Sequence, residues 1–105
     1  MGELVLVERR GDGVAVVTLN NPKVNALSQA LLADLHQAAL GLTADPPGAG
    51  VITGGERLFA AGADISEFGG PEAGRAIGEG FHRALDAVAA NPRFVIAAVS
   101  GYALG

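Results

Sequence analysis

The chain has no cysteine and no tryptophan, and only 5% of its residues are aromatic. Without cysteine there are no disulfides and no thiolate metal sites, a composition compatible with a reducing cytosol. Long apolar runs are missing too: none approaches the roughly 20 residues of a membrane span. Positive charge is scarce, with 7 Lys and Arg against 11 Asp and Glu and a formal net charge of −4. The basic residues are scattered, so there is no electrostatic footprint for nucleic acid or an anionic membrane. Histidine is limited to His36 and His82. His36 has no second His, Cys or carboxylate at metal-site spacing, and no metal is expected.

What remains is apolar and rich in glycine. Half of the 105 residues are hydrophobic and 16 are Gly. That suffices for one small domain with a real but limited core, and it excludes a disordered chain. The N-terminus carries Glu3 beside a short apolar run, unlike a secretory signal.

Local patterns place the elements. Leu4–Arg10 and Val14–Asn20 read as two strands joined through Gly11-Asp12-Gly13. Asn20-Asn21-Pro22-Lys23 ends the second strand. Ser28 is a good N-cap, and Leu31, Leu32, Leu35, Ala38, Ala39 and Leu42 then recur at helical spacing. A helix from about Gln29 to Leu42 follows, with Asp34, His36 and Gln37 on its wetter side. Gly50–Thr53 reads as a short strand. A second helix is expected from about Glu72 to Ala90, with Ile77, Phe81, Leu85 and Val88 on one stripe and Asn91-Pro92 as its stop. Gly74, Gly78 and Gly80 cost roughly 1 kcal/mol each relative to Ala, so its first half is expected to fray. Phe94–Val99 reads as a buried strand. The run from Gly48 to Gly54 has a faint likeness to a dinucleotide fingerprint. It lacks the preceding strand and the following helix which that motif requires.

One stretch stands apart, Leu58–Phe68, LFAAGADISEF. Only Asp64 and Glu67 in it have side chains capable of acid–base work. Small residues instead expose backbone N–H groups and let a ligand approach closely. Two such groups aimed at one point form an oxyanion hole, which stabilises charge developing on a carbonyl oxygen. The expectation is that this stretch supplies one of the two.

Three separated segments resemble the enoyl-CoA hydratase/isomerase (crotonase) superfamily. They are Asn21-Pro22-Lys23-Val24-Asn25-Ala26-Leu27, Phe59–Asp64 (FAAGAD) and Ile96–Gly105 (IAAVSGYALG). The resemblance runs from about Leu4 to the last residue, in the order found in the N-terminal part of that family. It implies an α/β fold, the truncated crotonase-type ββα spiral (ClpP/crotonase fold), with residues 1–105 as the N-terminal part of a crotonase-like domain. It also implies an acyl-CoA thioester partner, with coenzyme A as part of the substrate and no other cofactor. A homotrimer or hexamer and a cytoplasmic location are expected for the full-length form.

The resemblance further assigns positions. The Ala63 N–H becomes one oxyanion donor, with the second donor and two catalytic glutamates expected past Gly105. Val24, Ala26 and Leu27 match the loop along coenzyme A, and they also suit the start of the helix. Ala61, Asp64 and Ile65 match positions lining the acyl and adenine pocket, against a simpler role for Asp64 as a turn cap. Ser66 stands where the hydratases often have Lys, and Phe94 where the family commonly has Pro. Lys23 is a candidate for a coenzyme A phosphate, and Glu67 reads as surface. Hydration of a trans-2-enoyl-CoA to the 3-hydroxyacyl-CoA is the reaction implied for the full-length form. Isomerisation, dehalogenation, decarboxylation and thioester hydrolysis remain alternatives within the family. Outside it stand a non-catalytic acyl-CoA-binding or assembly piece and, on the weak glycine run alone, an NAD-binding dehydrogenase.

Overall fold

The computed structural model describes residues 4–104. Two strands open it, β1 (Val5–Arg9) and β2 (Val14–Leu19), paired antiparallel with Val5 opposite Leu19 and Arg9 opposite Ala15. The turn between them closes through its own polar groups. The Arg10 N–H donates to the Val14 carbonyl at 2.8 Å, and Asp12 Oδ1 accepts from the Val14 N–H at 3.1 Å. Along β2 the period-2 pattern buries Ala15, Val17 and Leu19 on one face.

After a two-residue strand β3 (Ala26–Leu27) comes helix α1 (Gln29–Ala44). Ser28 caps it as expected, its side chain accepting from the Leu31 N–H at 3.1 Å. Ser28→Ala is expected to cost about 1 kcal/mol, read as a lower urea midpoint with an unchanged slope. The expected apolar stripe of α1 is the one buried: Leu31, Leu32, Leu35, Ala38, Ala39 and Leu42. With Val5, Ala15, Val17 and Leu19 of the sheet it forms the core. Packing one helix face against one sheet face is what allows so small a chain to bury a continuous apolar cluster.

Strand β4 (Ala49–Thr53) returns parallel to β2. No helix opens on the glycine run from Gly48 to Gly54; a turn follows Thr53, which removes the context of a dinucleotide fold. Then come β5 (Gly62–Ala63), a 3₁₀ turn (Ile65–Glu67), helix α2 (Pro71–Ala89) and β6 (Val95–Ala98). The main sheet has the order β1-β2-β4-β6, and β3 pairs with β5 in a small second sheet.

Three expectations need correction. Helix α2 is continuous from Pro71, through Gly74, Gly78 and Gly80, and packs on α1. Its buried stripe runs through Ile77 and Ala84 with Phe81 and Val88 beside them, while Leu85 is 53% exposed. Ala84 and Leu85 are adjacent, about 100° apart on a helix, so the face that buries Ala84 turns Leu85 outward. Finally, among the described residues β6 lies at the edge of the sheet and is not buried. It pairs with β4 on one side only, and Phe94 (85% exposed) and Ile96 (57%) face outward. Composition alone does not separate an apolar edge from a central strand.

Candidate functional site

The three motif segments lie far apart in sequence, and the fold joins them through backbone hydrogen bonds. The middle one, around Phe59–Ala63, is flanked on both sides. On one side the N–H groups of Phe59 and Ala60 donate to the Tyr102 carbonyl at 2.9 and 3.1 Å, and the Leu104 N–H donates to the Ala60 carbonyl at 2.9 Å. Ala60 and Ala103 form a parallel bridge. On the other side the Ala61 N–H donates to the Val24 carbonyl at 3.0 Å, and Ala26 and Leu27 stand opposite Gly62 and Ala63. Gly105 lies outside the described residues.

Sequence explains why this run can be so enclosed. Gly62 is buried and has φ +96°, a conformation costly for any residue with a Cβ. That turn directly precedes Ala63 and sets the direction of its N–H. Gly54 answers a different need: a Cβ there would lie 2.1 Å from the Phe59 carbonyl oxygen. The chain can double back from β4 into the motif only because that atom is missing.

The assigned residues fall into two groups. Ala26, Leu27, Ala61 and Ala63 are half-buried along the β3–β5 pairing. Val24 (46% exposed), Ile65 (82% exposed) and Ser66 face solvent, leaving them open to a ligand. Asp64 caps the 3₁₀ turn, its Oδ1 accepting from the Ser66 N–H at 3.0 Å and the Ser66 hydroxyl at 2.6 Å. The capping role weighed for Asp64 is thus present. Lys23 lines a cleft with Asn21, Glu56 and Arg57, at the carboxyl ends of the parallel strands β2 and β4. Ligands of open parallel sheets commonly bind at such ends. Among the described residues no three His, Cys, Asp or Glu side chains are grouped to hold a metal ion, and no helix is long and apolar enough to cross a membrane.

Two residues play parts that sequence reasoning missed. Asn25 is 8% exposed with φ +50°, a region that Asn tolerates better than most residues. Its Nδ2 donates to the carbonyls of Gly54 (3.0 Å) and Phe59 (3.1 Å), and its Oδ1 accepts from the Asn21 N–H at 2.9 Å. One amide side chain thus bolts the first motif onto the loop leading into the second. The only signal for it was an Asn within an otherwise apolar helix approach. Glu67, expected at the surface, is half-buried, and its carboxylate accepts from the Gln29 N–H at 3.0 Å. It caps a helix 38 residues away in sequence, a pairing no local pattern reveals.

Comparison with known proteins matches this arrangement over nearly the whole chain. The family model for enoyl-CoA hydratase/isomerase matches residues 9–105. The chain is 40% identical to the mitochondrial enoyl-CoA hydratase of Pongo abelii, over 98% of this chain and 37% of that protein. Among solved structures, an enoyl-CoA hydratase/carnitine racemase from Magnetospirillum magneticum superposes with TM-score 0.88 at 34% identity, covering 96% of this chain and 40% of that one. The human mitochondrial delta3-delta2-enoyl-CoA isomerase superposes with TM-score 0.84 at 27% identity, covering 94% and 40%. The chain therefore spans about two-fifths of the length of these proteins. Its two-stranded opening, helix and parallel return are the start of the crotonase fold, and the chain belongs to the enoyl-CoA hydratase/isomerase family.

Proposed function

We propose that this chain is the acyl-CoA-binding portion of an enzyme that hydrates trans-2-enoyl-CoA to 3-hydroxyacyl-CoA in its full-length form. The observation that carries the reading is the convergence of all three motif segments on the backbone of residues 59–63, with the left-handed Gly62 immediately before Ala63. Addition of water to an unsaturated thioester builds enolate charge on the carbonyl oxygen. A backbone N–H carried on a paired strand needs little reorganisation to meet that charge, which is the property an oxyanion donor requires; Ala63 is paired with Leu27 on one side, and the run before it is held on both. The Ala63 N–H takes that role.

Around it, Val24, Ala26, Leu27, Ala61, Asp64, Ile65 and Ser66 form the acyl-CoA contacts. The exposed Val24 and Ile65 supply apolar surface for the coenzyme's flat rings. Lys23 and Arg57 rim a cleft suited to phosphate. Coenzyme A enters as part of the substrate, with no separate cofactor. The reading places the full-length enzyme in the cytoplasm, as a trimer or hexamer, in fatty-acid β-oxidation.

The chemistry divides between this portion and the remaining three-fifths seen in the relatives. A single donor without acid–base groups lacks contributions of about 10²–10⁴-fold each. Crotonyl-CoA is therefore expected to bind the 105-residue chain in calorimetry, with no loss of the conjugated enoyl absorbance. Rapid loss of that absorbance on this chain alone defeats the proposed division. NAD is expected to leave the melting temperature unchanged, whereas coenzyme A raises it.

A further inference from the structure

The stretch that follows the Ala63 donor is held by little packing among the described residues. No side chain of the 3₁₀ turn Ile65–Glu67 is buried, and Ile65 and the following Phe68 are 82% and 59% exposed. A segment that buries so little apolar surface normally sits at the mobile end of a structure's stability range. An oxyanion donor, however, contributes only if it is fixed before the reaction.

Polar tethers fill the gap. Upstream, Ala63 stands opposite Leu27 in the β3–β5 pairing. Downstream, the Glu67 carboxylate accepts from the N–H of Gln29, the first residue of α1. Both tethers end on the same short stretch, Leu27–Gln29, which Ser28 fixes at the head of a helix whose stripe is the core. Between them the chain is stiffened by Asp64, which accepts from Ser66 through its side chain and from the Glu67 N–H through its carbonyl at 3.1 Å. The tether has a clear energetic origin. The first N–H groups of a helix have no partner within it and carry partial positive charge, and α1 has no acidic residue in its own first turn. Glu67 supplies that anion from a distant part of the chain.

We infer that Glu67 is a positioning residue for the oxyanion donor: by capping α1 it pins the far end of the segment that aims the Ala63 N–H. This rests on the role proposed above for Ala63, and the two ideas separate experimentally. The first test is ligand-free. Amide ¹⁵N relaxation on the purified chain compares the wild type with Glu67→Ala, Glu67→Gln and Gln29→Pro. The last removes the N–H that Glu67 binds while leaving Glu67 intact, at a helix position where proline is favoured. In Glu67→Ala and Gln29→Pro, order parameters at Ala63 and Ile65 are expected to fall from about 0.85 to below about 0.6, with the β1–β2 hairpin unchanged. Glu67→Gln keeps the acceptor oxygen and is expected to stay near wild type. Unchanged order at Ala63 in both Glu67→Ala and Gln29→Pro overturns the inference, even if one of them also lowers stability.

The second test uses the full-length enzyme. Glu67→Ala is expected to lower kcat by about 10- to 100-fold with KM nearly unchanged, the pattern of a misaimed transition-state contact. Glu67→Gln is expected to restore most of the rate. An equal loss in both variants, or a loss confined to KM, counts against positioning. Loss of order at Ala63 with full activity retained leaves the tether standing and removes Ala63 from the chemistry.

Discussion

Asn25→Ala is expected to lower the unfolding free energy by about 3 kcal/mol, roughly 1 kcal/mol for each of the three side-chain hydrogen bonds it deletes at the low end of the usual range. The residue is 8% exposed, so water does not readily replace its side chain at the Gly54 and Phe59 carbonyls or the Asn21 N–H. Domains of this kind are stable by only about 5–15 kcal/mol, so the loss is a large share of the whole. Two companion variants separate the causes. Asn25→Gly frees the backbone at φ +50° but restores no bond, so it recovers only the strain, about 1 kcal/mol. Asn25→Asp keeps the acceptor for Asn21 and turns the two donors into a carboxylate oxygen facing two carbonyls. It is expected to be at least as damaging as Asn25→Ala. Urea unfolding measures all three, and an Asn25→Ala variant within about 0.5 kcal/mol of wild type, the range of ordinary surface changes, refutes the bolt. The consequence for the site is direct, since the same side chain ties the Val24–Leu27 segment to the loop feeding the 59–63 run.

Deleting the Ala63 N–H is expected to reduce kcat for crotonyl-CoA hydration by the full-length enzyme by about 10²–10³-fold. The least disruptive way is to replace Ala63 with lactic acid, which converts the Gly62–Ala63 amide to an ester, removing the N–H donor and weakening the Gly62 carbonyl as an acceptor while leaving the side chain in place. Proline would also remove it, but would press its ring on the β3–β5 pairing. If the donor acts mainly on the developing enolate, KM changes little while kcat falls, because the interaction is made in the transition state and not in the ground state. A kcat within about threefold of wild type would falsify the assignment of Ala63 as an oxyanion donor. A circular dichroism melt close to wild type guards against a folding artefact.

Much of the fold was legible because its signals are local. Ser28 followed by the leucine stripe marks α1 to within two residues at its end. The Gly-rich turn between alternating runs marks the first hairpin. Errors arose where the answer depended on what lies opposite. Phe94–Val99 has the composition of a central strand, yet among the described residues β6 has a neighbour on one side only. Leu85 fits a helical stripe by spacing, but the α1–α2 contact buries Ala84 in its place. Glu67 resembles any exposed carboxylate until the head of α1, 38 residues earlier, is brought to it.

The sequence by itself determined the family, the period and start of each helix, and the need for glycine at position 62 before Ala63. The family rests on the resemblance of three motif segments; the rest follows from backbone conformational limits and hydrophobic periodicity, which act over a few residues and are written in their order. Only the tertiary structure decided that LFAAGADISEF is clasped between the Val24–Leu27 and Tyr102–Leu104 segments, and that Asn25 and Glu67 are its fastenings. The bonds from Asn25 to Gly54 and Phe59, and from Gln29 to Glu67, join groups 29 to 38 residues apart. Their partners are mostly backbone N–H and C=O groups, which every residue carries and which therefore leave no mark in the sequence.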